Sequence, residues 1–212
     1  MEISGKGQQL LKLYESMVKD GYDTIDRKRV VSAFNDMEIR AFREPVRDLL
    51  RQFNVATLLD YGCGGSDYEQ TGFEQELTAR QYFGLDRVFR YEPSRGEDER
   101  QKADAVVCFD VLEHVFIADL PATVRELFSL ADRLLIVNAA CFAARALLPN
   151  GENAHITQRP PLWWKGLFDA ISVEYPQVAV HLYCSTAWRN VSQFQLWRAE
   201  DWQKSPTFTV DF

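Results

Sequence analysis

The chain has 212 residues, 46% of them apolar and 26% charged, with a formal net charge of −7; this fits one globular unit with a sizeable core. Its only basic stretch, Asp26-Arg27-Lys28-Arg29, is short and flanked by acids, which disfavours a nucleic-acid partner because such a partner needs a basic face. No apolar run approaches the ~18 residues of a membrane span, and the first residues, MEISGKGQQLLKLYE, lack the apolar core of a signal peptide.

Leu10, Leu13, Tyr14 and Met17 recur at helical spacing over residues 7–19, with Gly21 as a stop. A second helical region is expected from about 28 to 53, carrying Val30, Phe34, Met37, Phe42, Val46, Leu49 and Leu50, and broken or restarted at Pro45. Residues 1–52 are therefore expected to form a helical cap that either pads the sheet or closes over its site, with 53–212 as the cofactor-binding unit. Thr57–Tyr61 reads as a buried strand, followed by the turn Gly62-Cys63-Gly64-Gly65-Ser66 and a short helix over 67–79. Further strand-like runs are Gln81–Asp86, Ala103–Phe109 and Arg133–Val137. The charged segment RVFRYEPSRGEDERQK is too short for another strand, helix and linker, so the usual third strand is expected to be shortened or missing. Leu120–Leu130 reads as a helix with Pro121 at its start, 139–161 as a long irregular segment, and Trp163–Ala170 as a short helix. Val178–Cys184 and Val191–Trp197 are expected to pair as an antiparallel hairpin. Cys63, Cys108, Cys141 and Cys184 are widely spaced and read as reduced thiols of a cytoplasmic protein.

Successive strand-like runs, each ending in glycine or polar residues, point to an α/β domain that binds a cofactor at the carboxyl edge of its sheet. Asp86, at the end of the second run, is expected to accept from the ribose hydroxyls of an adenosine cofactor. A dinucleotide turn wants G-x-G-x-x-G, and Asp67 stands where the third glycine belongs. A carboxylate there repels a pyrophosphate, so a cofactor without phosphate fits better than NAD.

LLDYGCGGSDY, YFGLD and ADAVVCFDVLEHV resemble motifs of class I S-adenosylmethionine-dependent methyltransferases. NGENAHITQRPPLWW is similar to a loop of small bacterial members found with polysaccharide or small-metabolite genes. The resemblance implies a three-layer αβα sandwich with a Rossmann-like, seven-stranded sheet whose last strand is antiparallel, in agreement with the C-terminal hairpin. It implies S-adenosylmethionine as cofactor and S-adenosylhomocysteine as product. By the family pattern Asp60 reaches the methionine amino group, while Gly62, Cys63 and Gly64 let the chain pass close to the methionine portion and ribose. Asp86 takes the ribose hydroxyls, Phe109 and Asp110 line the methionine and adenosine edge, and Leu112 and Glu113 lie near the opening. Ser66 stands where the family often has a third glycine, and the shortened segment leaves adenine to Leu85, Arg87 or Val88.

Methyl transfer from a sulfonium needs an aligned acceptor and a group to take its proton. The catalytic candidates are His155, in the loop after the fourth strand, and His114 with its neighbour Glu113, just past the third; each histidine reads alternatively as a structural anchor. His181, inside an apolar run, reads as structural. One of Trp163 and Trp164 is expected in the core and the other beside the acceptor, while Tyr14, Tyr22 and Arg43 are possible contributions from the cap. No His, Cys and Asp grouping shows a metal-ligand spacing, and Ser66 lacks the surroundings of a nucleophile elbow. The implied reaction is methylation of an O or N atom of a small-molecule or saccharide-like acceptor. The alternatives are a nucleic-acid or protein methyltransferase, and a non-catalytic partner protein that binds S-adenosylmethionine.

Overall fold

The computed structural model describes residues 3–34, 38–187, 190–195 and 210–211. In chain order the helices and strands are α1 (Gly5–Asp20), β1 (Tyr22–Thr24), β2 (Arg29–Val30), α2 (Arg43–Gln52), β3 (Thr57–Tyr61), α3 (Ala79–Phe83), β4 (Arg87–Glu92), β5 (Glu97–Asp98), β6 (Ala103–Phe109), α4 (Leu120–Leu130), β7 (Ala131–Ala140), β8 (Ala146–Leu147), α5 (Pro161–Ser172), β9 (Ala179–Ala187), β10 (Asn190–Gln195) and β11 (Val210–Asp211). The main sheet has eight strands in the order β11-β10-β9-β7-β6-β3-β4-β5. Its centre, from β9 to β4, is parallel, and β5 and β10 run antiparallel to their inner neighbours. The expected hairpin is present as β9 and β10; Met37, Trp197 and part of the hairpin's connection lie outside the described residues.

The layers follow from the alternation of side chains along the strands. Leu59, Val106, Cys108, Leu135 and Val137 face α4 and α5, where Leu120, Val124, Leu127, Phe128, Trp164 and Phe168 meet them. Leu58, Ala105, Val107, Leu134 and Ile136 face α2 and α3, through Val46, Leu49, Leu50, Ala79 and Phe83. The result is the αβα sandwich of a Rossmann-like methyltransferase fold. The four cysteines are free thiols, and among the described residues no helix is long and apolar enough to cross a membrane.

Three expectations are corrected. The region 28–53 is not one helix: β2 and a 3-10 turn over Glu38–Phe42 precede α2, and Pro45 sits in the first turn of α2. The turn after β3 leads into irregular chain rather than a helix over 67–79. Helix α3 begins only at Ala79, where Thr78 and Gln81 form a capping box and Gly84 closes the far end in a left-handed conformation. Finally, YFGLD is not a strand; the second strand is RVFRYE, which begins directly after it, and the third is reduced to the two residues of β5.

Ahead of the sheet's carboxyl edge, β1 pairs with β2 and with β8, so the N-terminal segment and the chain after β7 form a second small sheet. Leu10 and Met17 of α1 pack with Ala144, Leu148 and Ala154 in a separate apolar cluster. Ser4 ties the start of α1 to α4, donating to Asp119 through its amide at 2.9 Å and its hydroxyl at 2.8 Å. Helix α2, by contrast, belongs to the sandwich. Residues 1–52 thus divide between two structural roles.

At the opposite edge, the Asp104 carboxylate accepts from the amides of Ala56 and Thr57 and pairs with Arg133, pinning the start of β3. Burial opposes its charge, but these donors prevail and hold its pKa at about 2. A depressed carboxylate stabilises the fold above its unfolded pKa near 4 and loses that contribution as pH falls through 2. Asp104→Ala is therefore expected to cost about 1 kcal/mol near neutrality and to flatten this acid limb of the melting temperature, measured by thermal denaturation between pH 2 and 7.

Candidate functional site

A cleft of about 1840 Å³ opens where the strand order reverses, beside β3. Its floor is the carboxyl edge of β3, β4, β6 and β7; its far wall is α1, β1 and β2 with residues 142–146 and 154–155. Seven carboxylate side chains lie on the wall (Glu38, Glu44, Asp48, Asp60, Glu92, Asp110 and Asp119), against Arg145 as the one arginine among the described lining residues.

The glycine turn is held from both sides. Gly62 has φ +85°, and a Cβ there would lie 2.2 Å from Val111 Cγ2; Gly64 has φ +56°, and a Cβ would lie 2.8 Å from the Phe34 carbonyl. The turn's amides are all engaged: Gly62 and Cys63 donate to the Tyr91 carbonyl, Gly64 to Glu92, Gly65 to the Phe34 carbonyl and Ser66 to the Cys63 carbonyl. None is left to cradle a phosphate. Cys63 is buried, and burial followed by the charges of Asp60, Glu92 and Glu97 pushes its thiol up, so it stays neutral.

Asp60 ends in a buried pocket, where its Oδ2 accepts from the Tyr68 hydroxyl at 2.9 Å. Burial raises its pKa to about 7; the Tyr68 bond opposes this and the Glu92 charge adds to it.

Asp86 is not in the cleft. It precedes β4 and its amide bonds the Ala56 carbonyl, which places it at the amino edge of the sheet together with Leu85, Arg87 and Val88. The acid at the carboxyl edge is Glu92. The register Tyr61↔Tyr91 sets Glu92 beside Gly62, and its Oε2 accepts from Gly64 N at 3.0 Å while its Oε1 accepts from the Ser94 amide and hydroxyl. Sequence reasoning missed it, although Phe89 and Tyr91 alternate as a strand requires.

After β6, Phe109 and Asp110 line the cleft, with Asp110 in a left-handed conformation at φ +57°. A 3-10 turn over Leu112–His114 then turns Leu112 into the core below α4 and buries Glu113 completely, so neither lies at the opening as expected. Glu113 Oε1 accepts from Ala140 N at 2.7 Å, and its Oε2 has no N–H donor. Burial, then the charge of Asp110, pushes the Glu113 pKa well up. Burial opposes the charge of Asp110, but the neighbouring Glu113 carboxyl and then His114 and His155 outweigh it and hold Asp110 below the usual carboxylate range.

The loop after β7 brings His155 to the same place. Thr157 N donates to the Glu113 carbonyl, the Thr157 hydroxyl donates to the Val115 carbonyl, and Asn153 clamps Ala144 and the His155 amide. His155 Nδ1 bonds the Phe142 carbonyl at 2.7 Å and its Nε2 lies 4.0 Å from Asp110 Oδ1. His114 Nδ1 bonds the Ala154 carbonyl at 2.9 Å, beneath the Tyr14 hydroxyl. Its pKa is held down to about 4 by burial and by His155, which leaves it a weak base. The two rings are 4.9 Å apart at 81°.

Asp60, Gly62, Cys63, Gly64, Phe109, Asp110, His114 and His155 therefore converge on one cleft, while Asp86, Leu112 and Glu113 do not line it. Tyr14 and Tyr22 also line it, but Arg43 is engaged outside by Glu74, and neither Trp163 nor Trp164 reaches it. His181 sits in β9 against Phe53, away from the cleft. A family model described as a methyltransferase domain matches residues 34–201, most of the chain. No curated protein and no solved structure matches it.

Proposed function

Because the chain belongs to the methyltransferase-domain family, we propose that it carries the methyl group of S-adenosylmethionine to an oxygen or nitrogen of a small, saccharide-like acceptor. The observation that carries this reading is the acidic wall beside a glycine turn whose amides are already satisfied. Such a site repels phosphates and favours a ligand of net positive charge. Bound there, S-adenosylmethionine supplies a methyl group already activated on a sulfonium.

The chain's own residues bind, orient and deprotonate. Glu92 accepts from a ribose hydroxyl, and Asp60 in its ionised form faces the methionine ammonium. Phe109 flanks the methionine and adenosine edge. Pro93 and Ser94, which follow Glu92 on the cleft wall, take over the adenine neighbourhood expected of Leu85, Arg87 and Val88. His155 takes the acceptor's proton at Nε2, because its Nδ1 is held by the Phe142 carbonyl. His114, with its depressed pKa, orients rather than accepts. Residues 3–34 act as the cap over this reaction space.

The acid lining argues against a nucleic-acid acceptor. Incubation with radiolabelled S-adenosylmethionine and parallel panels of sugars, small amines, RNA and peptides tests the reading. Label is expected on a small acceptor, with transfer slowed in His155→Ala while S-adenosylhomocysteine affinity holds within about twofold. Preferential labelling of RNA or peptide would move the acceptor class. Tight cofactor binding with no transfer to any panel would favour a non-catalytic binding protein.

A further inference from the structure

Asp110, His114 and His155 come from two separate segments, yet each places one ligand-capable atom within 4.8 Å of the others. Both imidazoles are oriented in the same way. Nδ1 of His114 lies 2.9 Å from the Ala154 carbonyl and Nδ1 of His155 lies 2.7 Å from the Phe142 carbonyl. A carbonyl only accepts, so each Nδ1 carries the proton and each Nε2 keeps a lone pair. Neither Nε2 is hydrogen-bonded to a described residue. This is the arrangement that outer partners impose on metal-binding histidines.

The rest of the surroundings agree. Asp110 adopts a left-handed backbone at φ +57°, and Glu113 stands behind it, fixed by the Ala140 amide. Tyr14 and Thr157 brace the two histidine segments by their hydroxyls. Two imidazoles and a carboxylate thus meet at one end of the cleft, a place that a proton or a metal cation can fill.

We propose that Asp110, His114 and His155 bind one divalent transition-metal ion, of the kind represented by Mn²⁺ and Zn²⁺, at the acceptor end of the cleft. Two nitrogen donors with one carboxylate suit such ions better than Mg²⁺ or Ca²⁺, which prefer oxygen. Metal bonds of about 2.0–2.2 Å require the three groups to close in on the ion by small side-chain rotations. Three protein ligands leave positions open for an acceptor oxygen, whose proton the ion makes easier to lose. This role rests on the methyltransferase reading of the cleft; the ion site itself does not. With the ion in place His155 is a ligand, and the metal takes over its part in activating the acceptor.

The test uses untagged full-length protein, treated with chelator and dialysed, then titrated calorimetrically with MnCl₂, ZnCl₂ and MgCl₂. One transition-metal ion per chain is expected, bound at least about tenfold more tightly than Mg²⁺. His155→Ala and Asp110→Asn are expected to lower that affinity by about tenfold or more, while His181→Ala leaves it unchanged. The unsubstituted protein gives an independent readout: of its three histidines, Zn²⁺ should shift the imidazole proton resonances of two and spare His181. No stoichiometric binding, binding that survives both substitutions, or resonances that do not move would overturn the proposal. Ion binding without methyl transfer would keep the site and sink the enzymatic reading; transfer that persists with no ion bound would keep both the site and the enzymatic reading and overturn the ion's part in activating the acceptor.

Discussion

Glu92→Ala is expected to weaken S-adenosylhomocysteine binding by about 30-fold, whereas Asp86→Ala should change it by less than about twofold. The first figure follows from losing one hydrogen bond to a charged group, at about 1.5–3 kcal/mol. A carboxylate offers about four acceptor directions. In Glu92 three are used, by Gly64 N, Ser94 N and the Ser94 hydroxyl, all at 2.6–3.0 Å. These bonds fix the carboxylate at the end of β4 and leave one acceptor direction on the side of the cleft, where one ribose hydroxyl fits. Glu92→Gln should fall between the two, since one amide oxygen can still serve Gly64 or a hydroxyl. Asp86, exposed at the amino edge, has no route to the ligand. Calorimetric titration of the three variants with S-adenosylhomocysteine decides the matter. Unchanged affinity in Glu92→Ala would remove Glu92 from the site, and a large loss in Asp86→Ala would mean the ligand lies elsewhere.

Glu92 escapes a reading of the sequence for a physical reason. Buried parallel strands are covered on both faces and read as continuous apolar runs. β3, β6 and β7 do so, and they were legible. β4 lies next to the reduced edge strand β5 and carries Arg87, Arg90 and Glu92. Its charges are accommodated at its edge, with Arg87 over the Phe89 ring at 4.7 Å and Arg90 paired with Glu97 at 3.6 Å, while Arg100 from beyond β5 covers Tyr91 at 4.0 Å. An apolar-run criterion passes over such a strand and settles on YFGLD, whose apolar side chains belong to the capped helix α3 and the loop after it.

The site shows the same division. DVLEHV marked Asp110 and His114 because they follow a legible strand. The inward turn of Leu112 and Glu113 depends on the 3-10 geometry of those few residues, which residue type does not specify. The approach of His155 depends on Thr157 and Asn153 folding a long loop back across the chain, and no spacing in the sequence encodes that. The N-terminal segment was ambiguous for a related reason. Helical periodicity identifies an apolar face but not its partner, and α1 meets the chain after β7 while α2 meets the sheet.

Asp60 links ligand affinity to pH. Its pKa of about 7 arises first from burial, against the stabilising bond from Tyr68. Because this exceeds the unfolded value of 3.8, the folded chain holds an extra proton between pH 4 and 7, and the stability gained from it is lost as pH rises through 7. A ligand ammonium reverses the preference, since it pairs with the ionised form. Binding below pH 7 therefore expels a proton, and affinity should fall about tenfold for each unit of acidification, or about 100-fold between pH 7 and 5. Above pH 7 the profile should flatten. Asp60→Asn should remove the slope and hold affinity near the acid-limit value, while raising the melting temperature of the ligand-free protein at pH 8. Tyr68→Phe deletes the one hydrogen bond that favours the charged form, so the inflection should move to higher pH. Titration with S-adenosylhomocysteine from pH 5 to 8 measures all three. A flat profile in the unsubstituted protein, or a slope that survives Asp60→Asn, would show that the ammonium is met by another carboxylate of the acidic wall.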